Sequence, residues 1–161
     1  NDSNYKSPSQ VIRIFADCIG LGGNLLLDIG PKPDGTIPEE QVEVLKELGR
    51  WTSKHSQAIF GTIAGLPAGC FDGPSTMSPD STTVYLFLNG DGGSEIMLQG
   101  IMNRISKAVV VGKGTNLDFK EYLRPSWINH AGVYFIKVPE NVLDDKMTVI
   151  GLSLDGKLMT E

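Results

Sequence analysis

The sequence predicts two folds in succession: the last helix–strand–helix of a (β/α)8-type barrel, then an antiparallel β-sandwich. Three observations predict this α/β plus all-β arrangement. Apolar residues recur at helical spacing up to about residue 54 and at a spacing of two after residue 82. Between the two helical stretches lies Asn24-Leu25-Leu26-Leu27-Asp28-Ile29, whose apolar residues point to both faces. Strands covered on both sides, as in parallel sheets, have that character. Finally, residues 61–82 form a Gly/Pro/Ser/Thr-rich connection where the period changes.

The first helix starts at Ser7-Pro8-Ser9-Gln10, where Ser7 caps, Pro8 takes the first helical position and Gln10 completes a capping box. Val11, Ile14, Phe15, Cys18 and Ile19 then mark one apolar face, and Gly20 stops the helix. Gly22-Gly23 turn the chain into the predicted strand 24–29, which Gly30-Pro31 closes. Pro31-Lys32-Pro33-Asp34-Gly35 is turn chemistry. Thr36 and Glu39 read as a second capping box, and Val42, Leu45, Leu48 and Trp51 as the stripe of a second helix. Its charges, acidic at the start and basic at the end, suit the helix dipole and a solvated face.

Beyond the connection, Val84–Leu88 and Glu95–Leu98 flank Asn89-Gly90-Asp91-Gly92-Gly93, a hairpin signal. Ile105–Val111, Val133–Val138 and Thr148–Leu154 are further predicted strands, and several short strands between turns point to a sandwich. A helix–strand–helix unit whose strand is apolar on both faces needs parallel neighbours, which a sandwich does not offer. Residues 1–60 therefore read as the closing piece of an α/β domain whose other strands lie upstream, about a quarter of a barrel of roughly 250 residues.

The chain has 161 residues, one domain's worth, with 14 Lys+Arg against 19 Asp+Glu for a net charge of −5. This mild acidity argues against a nucleic-acid partner, which requires clustered positive charge. Apolar runs such as Ala108–Val111 fall far short of the roughly 20 residues of a membrane helix. Cys18 and Cys70 make neither a disulfide scaffold nor a four-ligand zinc site and read as buried free thiols. Asn1-Asp2-Ser3 matches a glycosylation sequon, read as a chance match at the chain end.

Several residues combine into a longer pattern. Lys6-Ser7-Pro8-x-x-Val11-Ile12, then Gly22-Gly23-Asn24-Leu25-Leu26-Leu27-Asp28-Ile29-Gly30-Pro31-x-x-Asp34-Gly35-Thr36-Ile37-Pro38, then Leu48-Gly49-x-Trp51 and Ala58–Thr62 resemble the end of the catalytic barrel of α-L-fucosidases, glycoside hydrolase family 29. Residues from about 63 onward are similar to that family's C-terminal β-sandwich, through weaker motifs. The implied domains are 1–62, the barrel end; 63–82, a linker with the first sandwich segment; and 83–161, the sandwich. Asp28 stands where the family usually has Asn, His55-Ser56-Gln57 where it has Asn-Gly-Glu, Phe60 where it has Tyr, and Gly20-Leu21-Gly22 where Ser-Lys precedes the glycine pair. These departures bear on fine substrate preference.

The resemblance implies a retaining glycosidase that takes terminal α-L-fucose from fucosylated glycans, without a cofactor or metal, in a secreted, periplasmic or lysosomal setting. Retention needs a nucleophile and an acid/base carboxyl about 5–5.5 Å apart. The family carries these as Asp and Glu on earlier barrel strands, upstream of Asn1, so this stretch by itself is expected to be inactive and to partner the remaining barrel. The alternative reading is a non-catalytic carbohydrate-binding or structural sandwich module.

Asp28 is the one candidate substrate-binding residue, because it lies near the C-terminal end of the inferred strand, where barrel chemistry sits. Its competing reading is a structural carboxylate bonded to nearby backbone N–H groups. Gly20-Leu21-Gly22-Gly23 follows a helix and opens a strand, the reverse of a dinucleotide loop. The loop at Asn89–Gly93 fails the calcium pattern at its fifth and twelfth places. His55 and His130 lack partners at metal-ligand spacing, and His55 reads as a cation ending the second helix. Tyr122, Trp127 and Tyr134 are either a sugar-stacking platform or core.

Overall fold

A computed structural model describes residues 4–88, 95–125, 127 and 129–161. The sequon at Asn1 and the loop at Asn89–Gly93 lie outside the described residues, as does Ser126. The first helix, α1 (Pro8–Gly20), opens with the expected reciprocal cap. The Gln10 N–H donates to Ser7 Oγ at 3.3 Å and the Ser7 N–H to Gln10 Oε1 at 2.8 Å. The second helix, α2 (Glu39–Lys54), begins after Pro38 without a side-chain cap. Thr36 is instead drawn into its own turn, where its N–H and Oγ1 both donate to Asp34 Oδ1. The second capping box therefore does not form.

Among the described residues eight strands follow: β1 (Ile63–Ala64), β2 (Ser75–Met77), β3 (Thr83–Leu88), β4 (Glu95–Ile101), β5 (Ile105–Val110), β6 (Phe119–Tyr122), β7 (Gly132–Lys137) and β8 (Thr148–Leu154). They form two antiparallel sheets, ordered β1-β2-β3-β8-β5 and β4-β7-β6. Val84, Leu86, Ile150, Leu152 and Leu154 on the first sheet face Leu98, Tyr134 and Ile136 on the second. The predicted hairpin is corrected by this topology. β3 pairs with β2 and β8, whereas β4 pairs with β7, so the chain crosses from one sheet to the other between β3 and β4. A turn signal reports a reversal, but the strands on either side pair only when both are wanted by the same sheet.

A third layer covers the far side of the five-stranded sheet. Ile12 and Ala16 of α1, Trp51 of α2, and Ala58 bury against Phe87, Val111, Met147 and Val149. Trp51 is completely enclosed, its indole N–H donating to the Met147 carbonyl at 2.8 Å, and its ring lies 6.0 Å from Phe87 and 6.5 Å from Phe15. The α1 face is rotated from the expected one: Ile12 and Ala16 point inward, and Ile14 is exposed. Of the expected α2 stripe Trp51 alone is fully buried. His55 is buried against the Trp51 ring at 5.0 Å, with Nδ1 donating to the Trp51 carbonyl at 2.9 Å. Burial lowers its pKa despite that hydrogen bond, so it ends α2 as a neutral ring rather than as the expected cation. Cys70 is buried, as expected, and its burial raises the thiol pKa; Cys18 is only half-buried.

Ion pairs hold α2 to the sandwich. Asp144, 3% exposed, pairs with Lys54, and Arg50 reaches Asp145 at 2.9 Å. Burial alone would raise the Asp144 carboxyl, but the Lys54 ammonium and the Lys146 N–H outweigh it and hold the carboxyl well below the usual range. A group with a depressed folded pKa stabilises above its unfolded value, about 3.9 for Asp, and loses that contribution as pH falls toward the folded one. Asp144→Asn is therefore expected to cost about 2 kcal/mol at neutral pH, below the 3–5 kcal/mol of a fully buried pair because Lys54 reaches solvent. Urea denaturation of both proteins should show the gap closing below about pH 4. A gap that widens in acid would contradict this sign.

Residues 24–29 join no sheet among the described residues, and Leu26 is 85% exposed. The predicted strand is thus not formed here. A strand exists only through a partner's ladder, and each described strand of this chain pairs within the sandwich.

Candidate functional site

The candidate site is a cleft of about 200 Å³ between the two helices and segment 27–29. Asn4, Tyr5 and Lys6 enter it from the residues leading into α1, and Gln41 from the first turn of α2. Leu27 and Leu45 are among its apolar walls, and Asp28 is exposed on its rim. Of the lining residues Asp28 alone carries a carboxylate.

The mouth is shaped by short-range hydrogen bonds. The Gly30 N–H donates to Gln41 Oε1 at 3.0 Å, tying the Gly30-Pro31 corner to α2. The Lys32 N–H donates to the Thr36 carbonyl at 2.7 Å, and the Gly35 N–H to the Lys32 carbonyl at 2.8 Å. Gly35 takes a φ of 84°, which favours glycine. Hydrogen bonds from the Thr36 side chain and N–H hold the Asp34 carboxyl below its ordinary pKa, so Asp34 serves its own turn.

An ammonium, a carboxylate, a phenol and two amides around apolar walls can hydrogen-bond hydroxyl groups and orient a polyol. They do not supply the two opposed carboxyls of glycoside hydrolysis. Sequence reasoning selected Asp28 and missed Tyr5, Lys6 and Gln41. Lys6 stood in the motif string and Gln41 one turn past a proline, but neither has a spacing signal toward residue 28.

The remaining candidates separate. Tyr134 is buried, its hydroxyl donating to the Asn103 carbonyl at 3.1 Å. Tyr122 is 48% exposed and Trp127 81% exposed. The three do not make one platform. Among the described residues no group of three or more His, Cys, Asp or Glu side chains comes together to hold a metal, and no helix is long and apolar enough to cross a membrane.

Comparison with known proteins shows what the chain is similar to. A family model described as alpha-L-fucosidase matches residues 1–57. The chain is 31% identical over 113 residues to an alpha-L-fucosidase of Dictyostelium discoideum, covering 68% of this chain and 24% of that protein. It is 37% identical over 60 residues to the human tissue alpha-L-fucosidase, covering 37% and 13%. Among solved structures it is similar to an alpha-L-fucosidase from a Vibrio strain, with a TM-score of 0.85, 25% identity and coverage of 100% of this chain and 28% of that one. Isoenzyme 1 from Paenibacillus thiaminolyticus gives a TM-score of 0.79 at 29% identity, covering 96% and 36%. The Thermotoga maritima enzyme in complex with fucose gives 0.75 at 28%, covering 94% and 35%. The matched stretch thus spans 24% of the Dictyostelium relative and 28–36% of the solved chains.

Proposed function

Because the chain belongs to the α-L-fucosidase family of glycoside hydrolases, we propose that it is the C-terminal part of a retaining enzyme that removes terminal α-L-fucose from glycans. The observation that carries this is segment 24–29. It holds the most specific stretch of the motif string, joins no described strand, and leaves Leu26 bare beside a cleft. Burying this leucine in a sheet interior would remove its apolar surface from water. The reading is that residues 1–62 complete a barrel with strands from the rest of the enzyme, that 63–82 connect, and that 83–161 brace the barrel as a sandwich. The cleft would then open at the barrel mouth, where the active sites of such barrels sit.

In this reading Asp28 hydrogen-bonds at the rim of the sugar site, while the nucleophile and the acid/base come from other barrel strands. The partners are a fucosylated glycan and the remaining barrel, with neither nucleic acid nor membrane involved. The test is hydrolysis of an aryl α-L-fucoside by the parent gene product. Turnover of the fucoside and not of aryl galactosides or xylosides is expected, with none from the 161 residues alone. Activity confined to galactosides or xylosides would overturn the reading. Within the same assay Asp28→Ala should lower kcat/KM about tenfold, the loss of one charged hydrogen bond of about 1.5 kcal/mol. Asp28→Asn, which restores the residue type usual in the family and keeps an acceptor, should stay within a factor of a few. Equal losses in both variants would show that the charge, not the acceptor, matters.

A further inference from the structure

The solvent face of the three-stranded sheet breaks the alternation that such a face normally shows. Register places Met97 opposite Phe135 and Phe135 opposite Lys120, with Tyr122 opposite Val133 and Glu95 opposite Lys137. Leu98, Tyr134 and Ile136 point into the core, so their neighbours Met97, Val133, Phe135 and Lys137 point out. Half of what points out is apolar: Tyr122 is 48% and Met97 47% exposed, and Phe135 half-buried between them. The Tyr122 and Phe135 rings stand 5.7 Å apart at 79°, an inside corner. Asp118, Lys120, Lys137 and Glu95 rim a groove of about 220 Å³ over this corner. The helices cover the opposite sheet, so no described helix reaches this face.

We infer that this groove binds a single fucose residue of a glycan, as a second sugar site on the sandwich; the inference rests on the fucosidase reading above. A pyranose offers an apolar C–H face and a rim of hydroxyls, and the 6-deoxy sugar adds a methyl group. The corner of Tyr122 and Phe135 meets the C–H face and the methyl group, the charged rim meets the hydroxyls, and Met97, opposite Phe135 in the neighbouring strand, lies beside the groove and not in its lining. The size suits one ring, since pockets for larger ligands start at about 300 Å³. A protein partner fits poorly: four apolar side chains fall far short of the roughly 800 Å² per partner of a stable interface. The edge strand β4 is also partly closed, with the Gln99 N–H donating to the Cys70 carbonyl and its side chain to that of Gly69. On a glycan with several fucose residues, such a site would raise the local substrate concentration without new contacts at the active site.

The experiment titrates the whole 161-residue chain, labelled at its methionine methyl groups, with methyl α-L-fucoside and with methyl β-D-glucoside. Saturable shifts at Met97 in the millimolar range are expected for the fucoside, with binding weakened at least tenfold in Tyr122→Ala. Phe60→Ala, which removes an exposed aromatic elsewhere, should leave them unchanged. The inference is overturned by absence of saturation, by equal binding of the glucoside, by shifts indifferent to Tyr122→Ala, or by Met97 shifts that follow protein concentration alone, the mark of a second copy on this face. Failure here leaves hydrolysis by the parent enzyme untouched, whereas a parent inactive on fucosides with this binding intact would sink only the enzyme reading.

Discussion

Trp51→Ala is expected to cost about 3–5 kcal/mol of stability, the range for deleting a large buried aromatic. Trp51 joins the layers: α2 supplies it, Phe15 of α1 meets its edge, and Phe87 of β3 lies on its far side. Its indole N–H also satisfies the Met147 carbonyl, which truncation leaves buried without that donor. The loss should concentrate in the helical layer. Hydrogen exchange should show α1 and α2 amides opening well before those of β3 and β8, whose other face rests on the inter-sheet core. A loss under about 1 kcal/mol in denaturant melts would contradict the placement of this residue at the joint.

Gly65→Ala is expected to be comparably severe for a different reason. A Cβ at Gly65 would sit inside the Ser75 carbonyl and against its side chain, and the obstacle is backbone, not the far end of a flexible side chain. Gly65 is pinned there from both sides. Its N–H donates to the Gly20 carbonyl at 3.0 Å, and the next N–H, of Leu66, to Ser75 Oγ at 2.8 Å. Relief requires moving the chain after β1 off β2, so about 3 kcal/mol is expected, the upper end of overpacking costs. Gly49→Ala provides the contrast. That glycine lies inside α2 with open space around it, and the substitution should stabilise by about 0.5–1 kcal/mol through helix propensity. Thermal melts of the two variants should therefore move in opposite directions. A Gly65→Ala protein that melts like the parent would mean that β1 and β2 do not cross as described.

Much of this molecule could be read from residue order. α1 was legible because a capping box and a stop glycine are local chemistry. The five longest strands were legible as apolar segments between turns, whereas β1, β2 and β6, of two to four residues, carry too little pattern. The sequence holds one further signal. Val84–Leu88 is a continuous apolar run, and β8 is buried on nearly every residue, the pattern of a sheet covered on both faces. The second face of that sheet is the one the helical layer covers.

The candidate site was legible only in part. Asp28 is a candidate by its place after an apolar ribbon, while Tyr5, Lys6 and Gln41 line the same cleft through the packing of α1 beside α2. By itself the sequence determined the cap of α1, the motif string and the family, since each depends on neighbours a few positions apart or on exact order. The tertiary structure alone decided that β3 and β4 part company, that His55 is a neutral buried ring, and that Met97, Phe135 and Tyr122 share one face. The physical reason is that pairing, burial and charge state depend on what lies across space, and no local pattern encodes the partner.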